Sequence, residues 1–73
     1  MPTMSADPKP FNERLKEARE AKKLSQAELA EASGVALSTV SQLEQGRMGN
    51  PRLATLRALA KALGMTLDDL AGE

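Results

Sequence analysis

Histidine and cysteine are both absent from the 73 residues, as are tryptophan and tyrosine. Without them there is no imidazole base, no thiol nucleophile and no nitrogen or sulfur metal ligand. Disulfides are excluded, which is compatible with a reducing cytoplasm. Phe11 is the only aromatic residue. The core must therefore come from leucine, alanine, valine and methionine, a set that favours short, closely packed helices over a sheet. No apolar run approaches ~18 residues and no secretory leader pattern is visible, so a soluble cytoplasmic protein without a membrane partner is expected. The one adjacent acid pair, Asp68-Asp69, occupies successive positions of a predicted helix, which splay apart. No enzyme, no cofactor and no metal are expected.

A surplus of charge of one sign is also missing: ten Lys and Arg balance ten Asp and Glu. That argues against a nonspecific coat for nucleic acid, whose affinity comes mostly from basic charge. The balance is uneven along the chain, however. Between Gly34 and Lys61 the basic residues are Arg47, Arg52, Arg57 and Lys61, against the single acid Glu44. A neutral total can hide one basic face.

At this length the chain holds one small domain, with a 41% hydrophobic content that leaves a thin stability margin unless a dimer adds buried area. Residues 1–9 carry prolines and no apolar periodicity, and read as a flexible tail ahead of a domain at 10–71. Phe11, Leu15 and Ala18 recur with helical spacing, and this first helix ends near Lys22-Lys23. Ser25 to Glu28, SQAE, has the capping-box pattern and starts a very short second helix with Leu29 and Ala30 inward. Gly34 stops it, because a left-handed turn suits a residue without Cβ.

A third helix follows almost at once, with Val35, Ala36, Val40 and Leu43 inward and Gly46 at its end. Leu37, Ser38, Ser41 and Gln42 fall on the opposite side at i, i+1, i+4 and i+5. Asn50-Pro51 reads as a cap followed by proline at the first helical position. The fourth helix, Pro51 to Leu63, turns Leu53, Leu56, Leu59, Ala60 and Leu63 inward before Gly64. Thr66 with Asp69 predicts a second capping box and a last short helix, with Leu67 and Leu70 inward. Met65, Leu67 and Leu70 suit either core or a dimer surface. The fold class is all-α, five helices, with helices two and three separated by a turn short enough to let the second project into a groove.

The run Gln26-Ala27-Glu28-Leu29-Ala30, then Gly34, then Val40, followed by SQLEQGR, RLATLRALAKALG and TLDDL, resembles the lambda-repressor-like (Xre) family of helix-turn-helix regulators. The resemblance covers roughly residues 11 to 71. It implies a compact five-helix DNA-binding domain in which Ala30, Gly34 and Val40 make the motif. Ala30 is small where helix three crosses close above it, Gly34 supplies the turn and Val40 fills the space between the two helices.

By matching position, the resemblance places Gln26 on a backbone phosphate, beside helix amides that favour an anion. It brings Leu37, Ser38 and Gln42 to base edges in the major groove, with Ser41 on the same side. It sets Arg47, Asn50 and Arg52 in the loop that follows the phosphate backbone. Arg19 and Glu44 match a salt bridge that ties helix one to the end of helix three; read from the sequence alone, they are equally two unrelated surface residues. Two positions depart from the pattern. Ala36 stands where the family usually carries a capping Ser or Thr, at a cost of about 1 kcal/mol. Leu37 stands where a polar reader is common, and no arginine is present for a bidentate guanine contact, so A·T-containing steps suit this helix best.

The expected function is sequence-specific binding of double-stranded DNA by a transcriptional regulator, a repressor, acting as a homodimer on a palindromic operator. The alternative is an antitoxin or accessory protein whose main partner is another protein, a toxin or co-regulator, with DNA binding only autoregulatory. A helical interaction module with no nucleic-acid role is the third class.

Overall fold

The computed structural model describes residues 10–48 and 51–71. Five helices follow in order: α1 Phe11–Ala21, α2 Gln26–Ser33, α3 Leu37–Glu44, α4 Leu53–Leu63 and α5 Leu67–Ala71. No strand occurs among the described residues. The segment 1–9 read as a tail, and Asn50 with it, lie outside them.

Local sequence explains most of the helix boundaries. At the start of α2 the capping box is complete: Ser25 Oγ accepts the Glu28 N–H at 3.0 Å, and Glu28 Oε1 accepts the Ser25 N–H at 2.8 Å. Gly34 ends α2 at φ 76°. A Cβ built there would meet nothing within 4 Å, so glycine is required for its backbone conformation and not for space. At the end of α3, Gly46 sits at φ 72°. Its N–H donates to Leu43 O at 3.2 Å, and the Arg47 N–H donates to Gln42 O at 2.9 Å. This paired closure satisfies two of the last carbonyls. Before α5, Thr66 Oγ1 accepts the Asp69 N–H at 3.0 Å.

The first helix ends the same way as the third, but without a glycine. Lys23 takes φ 59°. The Lys23 N–H reaches Glu20 O at 2.9 Å and the Leu24 N–H reaches Arg19 O at 3.2 Å. A left-handed lysine is uncommon, and nothing in the spacing of the sequence marks it.

Nine apolar residues form the buried core: Leu15, Leu29, Ala30, Val40, Leu43, Leu59, Ala60, Leu63 and Leu70. Phe11, Ala18, Leu24, Val35, Met48, Ala62 and Met65 pack against it from half-buried positions. Within this arrangement α2 packs on α3 and α4, α1 on α3 and α5, and α4 on α5. The third helix is thus held between α1 and α2, with one side left outward. Leu70 is core, with no exposed surface, and Met65 packs against that core, so neither is left over as free apolar surface.

Three expectations need correction. Ala36 is exposed and is the N-cap of α3 rather than an inward helical residue; it makes no side-chain cap bond, because it has no acceptor to offer. The fourth helix starts at Leu53 with Arg52 as its N-cap, so Pro51 precedes the helix instead of opening it; Asn50, expected as the cap, lies outside the described residues. Leu53, expected inward, is 53% exposed. At the first position of α4 it lies nearly two turns ahead of the residues that reach the core, Leu59, Ala60 and Leu63.

Candidate nucleic-acid interface

The third helix has two unlike sides. Val40, Leu43 and Glu44 are buried, while Leu37, Ser38 and Gln42 are exposed. Leu37, the first helical residue, is 48% exposed. Ser41, expected on the same side, is half-buried, and its Oγ accepts from Gln45 Nε2 at 3.0 Å. The fold therefore brings Leu37, Ser38 and Gln42 together as an exposed, uncharged set, with Ser41 receding between them and the core. Arg47 and Arg52 are exposed on the segments flanking α3 and α4.

Ala30 and Val40, expected as motif residues, are both buried core, and Gly34 makes the left-handed turn between their helices. Small and branched apolar side chains at these points let α2 and α3 pack closely.

Behind the exposed side lies a polar cluster that joins three helices. Glu44 Oε2 accepts from Arg19 Nε at 2.6 Å, and Glu44 Oε1 accepts from Arg19 Nη2 at 3.1 Å. The third guanidinium nitrogen, Nη1, donates to Leu24 O at 2.6 Å, which ties down the connection that follows the left-handed Lys23. The two side chains are only 12% and 4% exposed. Arg19 and Glu44 are therefore a paired structural element, not two unrelated surface residues.

The Glu44 hydrogen bond, opposed by burial and aided by the charges of Glu44 and Glu20, raises the Arg19 pKa above its ordinary value. A raised folded-state pKa means that this stabilisation is complete below the ordinary arginine range and is lost only as pH rises through it. The guanidinium stays charged across any working pH.

Gln26 joins the same cluster. Its Nε2 donates to Glu44 Oε1 at 3.0 Å, from a half-buried position at the first turn of α2. Sequence reasoning placed Gln26 toward phosphate and Glu44 toward Arg19 but missed the bond between them. The two lie 18 residues apart, and only the packing of α2 on α3 brings them into reach. No buried side-chain polar atom among the described residues lacks a partner.

Two short helices, a tight left-handed turn and an outward uncharged side on the second helix define a helix-turn-helix domain. Residues 15–70 match the helix-turn-helix family model, and the chain belongs to that family, a class of DNA-binding regulators rather than enzymes. It is 39% identical over 61 residues to the uncharacterized HTH-type transcriptional regulator RghRB of Bacillus subtilis, covering 84% of this chain and 44% of that protein. It is likewise 39% identical over 61 residues to the immunity repressor protein of Bacillus phage phi105, covering 84% of this chain and 42% of the repressor. The chain thus spans less than half the length of these curated relatives.

Among solved structures, the SinR–SinI protein complex matches with a TM-score of 0.83 at 33% identity, over 86% of this chain and 61% of that one. The restriction-modification controller protein C.AhdI from Aeromonas hydrophila matches with a TM-score of 0.78 at 42% identity, over 82% of this chain and 89% of the other. Among the described residues, no helix is long and apolar enough to cross a membrane.

Proposed function

We propose that the chain binds double-stranded DNA sequence-specifically as a homodimer on a palindromic operator and represses transcription. The observation that carries this reading is the exposed, uncharged side of α3, Leu37, Ser38 and Gln42, rigidly backed by buried Val40, Leu43 and Glu44. In the major groove, Gln42 is suited to a bidentate bond with adenine, Leu37 to contact with a thymine methyl, and Ser38 to either partner of a base pair. Ser41, half-buried and bonded to Gln45, comes second to these three.

Arg47 and Arg52 supply the charge that α3 lacks, and Asn50 lies between them in the sequence. Contacts from these residues and from Gln26, with the first amides of α2, would set the register on the phosphate backbone. A homodimer would place two copies of α3 about 34 Å apart, in successive major grooves. Selection from a random pool of duplexes, combined with the mass of the complex in solution, tests the whole reading. Enrichment of an inverted repeat by a dimer supports it, and no enriched sequence with salt-insensitive binding would sink it.

A second reading keeps the fold and makes a protein the main partner, as in an antitoxin or accessory subunit. It draws support from the SinR neighbour, whose solved structure is a complex with SinI. A stoichiometric co-purifying protein would favour this reading, and a solitary, tightly operator-binding dimer would count against it.

A further inference from the structure

We infer that Glu44 is a positioning residue for DNA binding: it holds the Gln26 amide in the orientation that the phosphate contact needs. This rests on the DNA-binding reading above. The Glu44 carboxylate, 4% exposed, uses one oxygen twice, accepting from Arg19 Nη2 at 3.1 Å and from Gln26 Nε2 at 3.0 Å. A free glutamine rotates about three side-chain torsions and presents either end of its amide. One N–H committed to a carboxylate fixes which end is nitrogen and where it lies. The second N–H is left to donate at the first turn of α2, where the backbone N–H groups also lack intrahelical acceptors.

Two further features fit this role. A carboxylate near a DNA backbone would repel it, but the bidentate Arg19 pair neutralises Glu44 where it stands. Glu44 is also the last residue of α3. The phosphate-binding end of α2 and the reading helix are therefore locked to each other by one side chain, so that the base contacts and the backbone contact keep a common register. Ordering a loose Gln26 only on binding would forfeit several-fold in affinity.

The test is a double-mutant cycle on a duplex enriched by the wild-type protein from a random-sequence pool. Gln26→Ala is made in the wild type and in a background where Arg19→Met and Glu44→Met replace the buried pair together, an exchange that buried pairs often tolerate. The positioning role predicts a loss of about fivefold from Gln26→Ala in the wild type and less than about twofold in the apolar background. Equal losses in both backgrounds would overturn it and leave the DNA reading standing. That split is one a purely structural role for Glu44 would not produce.

If the apolar background does not fold, the side-chain amide of Gln26 in the wild type decides by ¹⁵N–¹H spectroscopy. One Nε2 proton shifted from its free-glutamine position and protected from solvent exchange is expected, and two protons with the shifts and exchange rates of an unrestrained glutamine overturn the proposal. A wild type that binds no duplex in a salt-sensitive way overturns the DNA reading and this inference with it.

Discussion

The two ends of α3 are built in opposite ways. Its start has Ala36 as an exposed N-cap with no side-chain bond, followed by exposed Leu37 and Ser38. Its end has Leu43 at 1% exposure, Glu44 clamped by Arg19 and Gln26, and Gly46 closing the last carbonyls. The helix is therefore clamped at its C-terminal end and loosely capped at its start, while its buried and exposed sides run along both halves: Val40 is buried in the first half and Gln42 is exposed in the second. A loosely capped start is tolerable because tertiary packing, not local hydrogen bonding, keeps these eight residues helical. A buried or clamped position on α3 sets stability; an exposed position sets what the helix meets.

The clamped C-terminal end should give the largest response to substitution. Leu43→Ala is expected to cost about 3 kcal/mol of folding stability, from lost burial and the cavity left behind, read by chemical denaturation. A loss below about 1 kcal/mol would mean that this end of α3 is not the anchor. Glu44→Ala should cost about 2–3 kcal/mol, since it strands a mostly buried guanidinium. Changing Arg19 and Glu44 to methionine together should cost less than Glu44→Ala alone; the reverse order would show that the charges themselves hold α1 to α3.

At the loosely capped start of α3 the expected effects are smaller and opposite in sign. Ala36→Ser supplies the missing cap and should stabilise the fold by about 1 kcal/mol, measured as a higher urea midpoint with an unchanged slope. The comparison extends to the end of α1, which closes on a left-handed lysine where α3 closes on glycine. Lys23→Gly should stabilise by about 0.5 kcal/mol if relief of the left-handed backbone outweighs the added freedom of the unfolded chain. A destabilisation would show that the lysine side chain contributes more than its backbone costs.

The parts of the fold that could be read from the sequence are those governed by near neighbours. Ser25 and Glu28 are three residues apart and cap each other; Gly34 and Gly64 end helices because of their own backbone freedom. The inward residues Leu15, Leu29, Val40, Leu59 and Leu63 follow from a period that any helix imposes. Lys23 was not legible, because a non-glycine in the left-handed region is uncommon and no residue pattern marks it; the Arg19 bond to the Leu24 carbonyl that supports the turn depends on a guanidinium held by Glu44 from another helix.

Ala36 was misplaced because periodicity extends a helix past the residue where its backbone begins, and Leu53, the first residue of α4, because the apolar period does not show which turn of the helix reaches the core. At the candidate site, the exposed set Leu37, Ser38 and Gln42 was visible as one side of a helix. The Gln26–Glu44 bond was not, since it depends on how two helices cross.

The central claim is that the presented side of α3 chooses sequence while the flanking arginines supply sequence-independent attraction. Binding of the wild type, Gln42→Ala and Arg52→Ala to the selected duplex and to a scrambled one, across a salt series, tests it most directly. Arg52→Ala should weaken both duplexes alike and reduce the salt slope by about 1 per subunit, about 2 for the dimer, whereas Gln42→Ala should narrow the gap between duplexes with little change in slope. If Gln42→Ala leaves that gap intact, or Arg52→Ala erases it without touching the slope, the division of labour proposed for this helix is wrong.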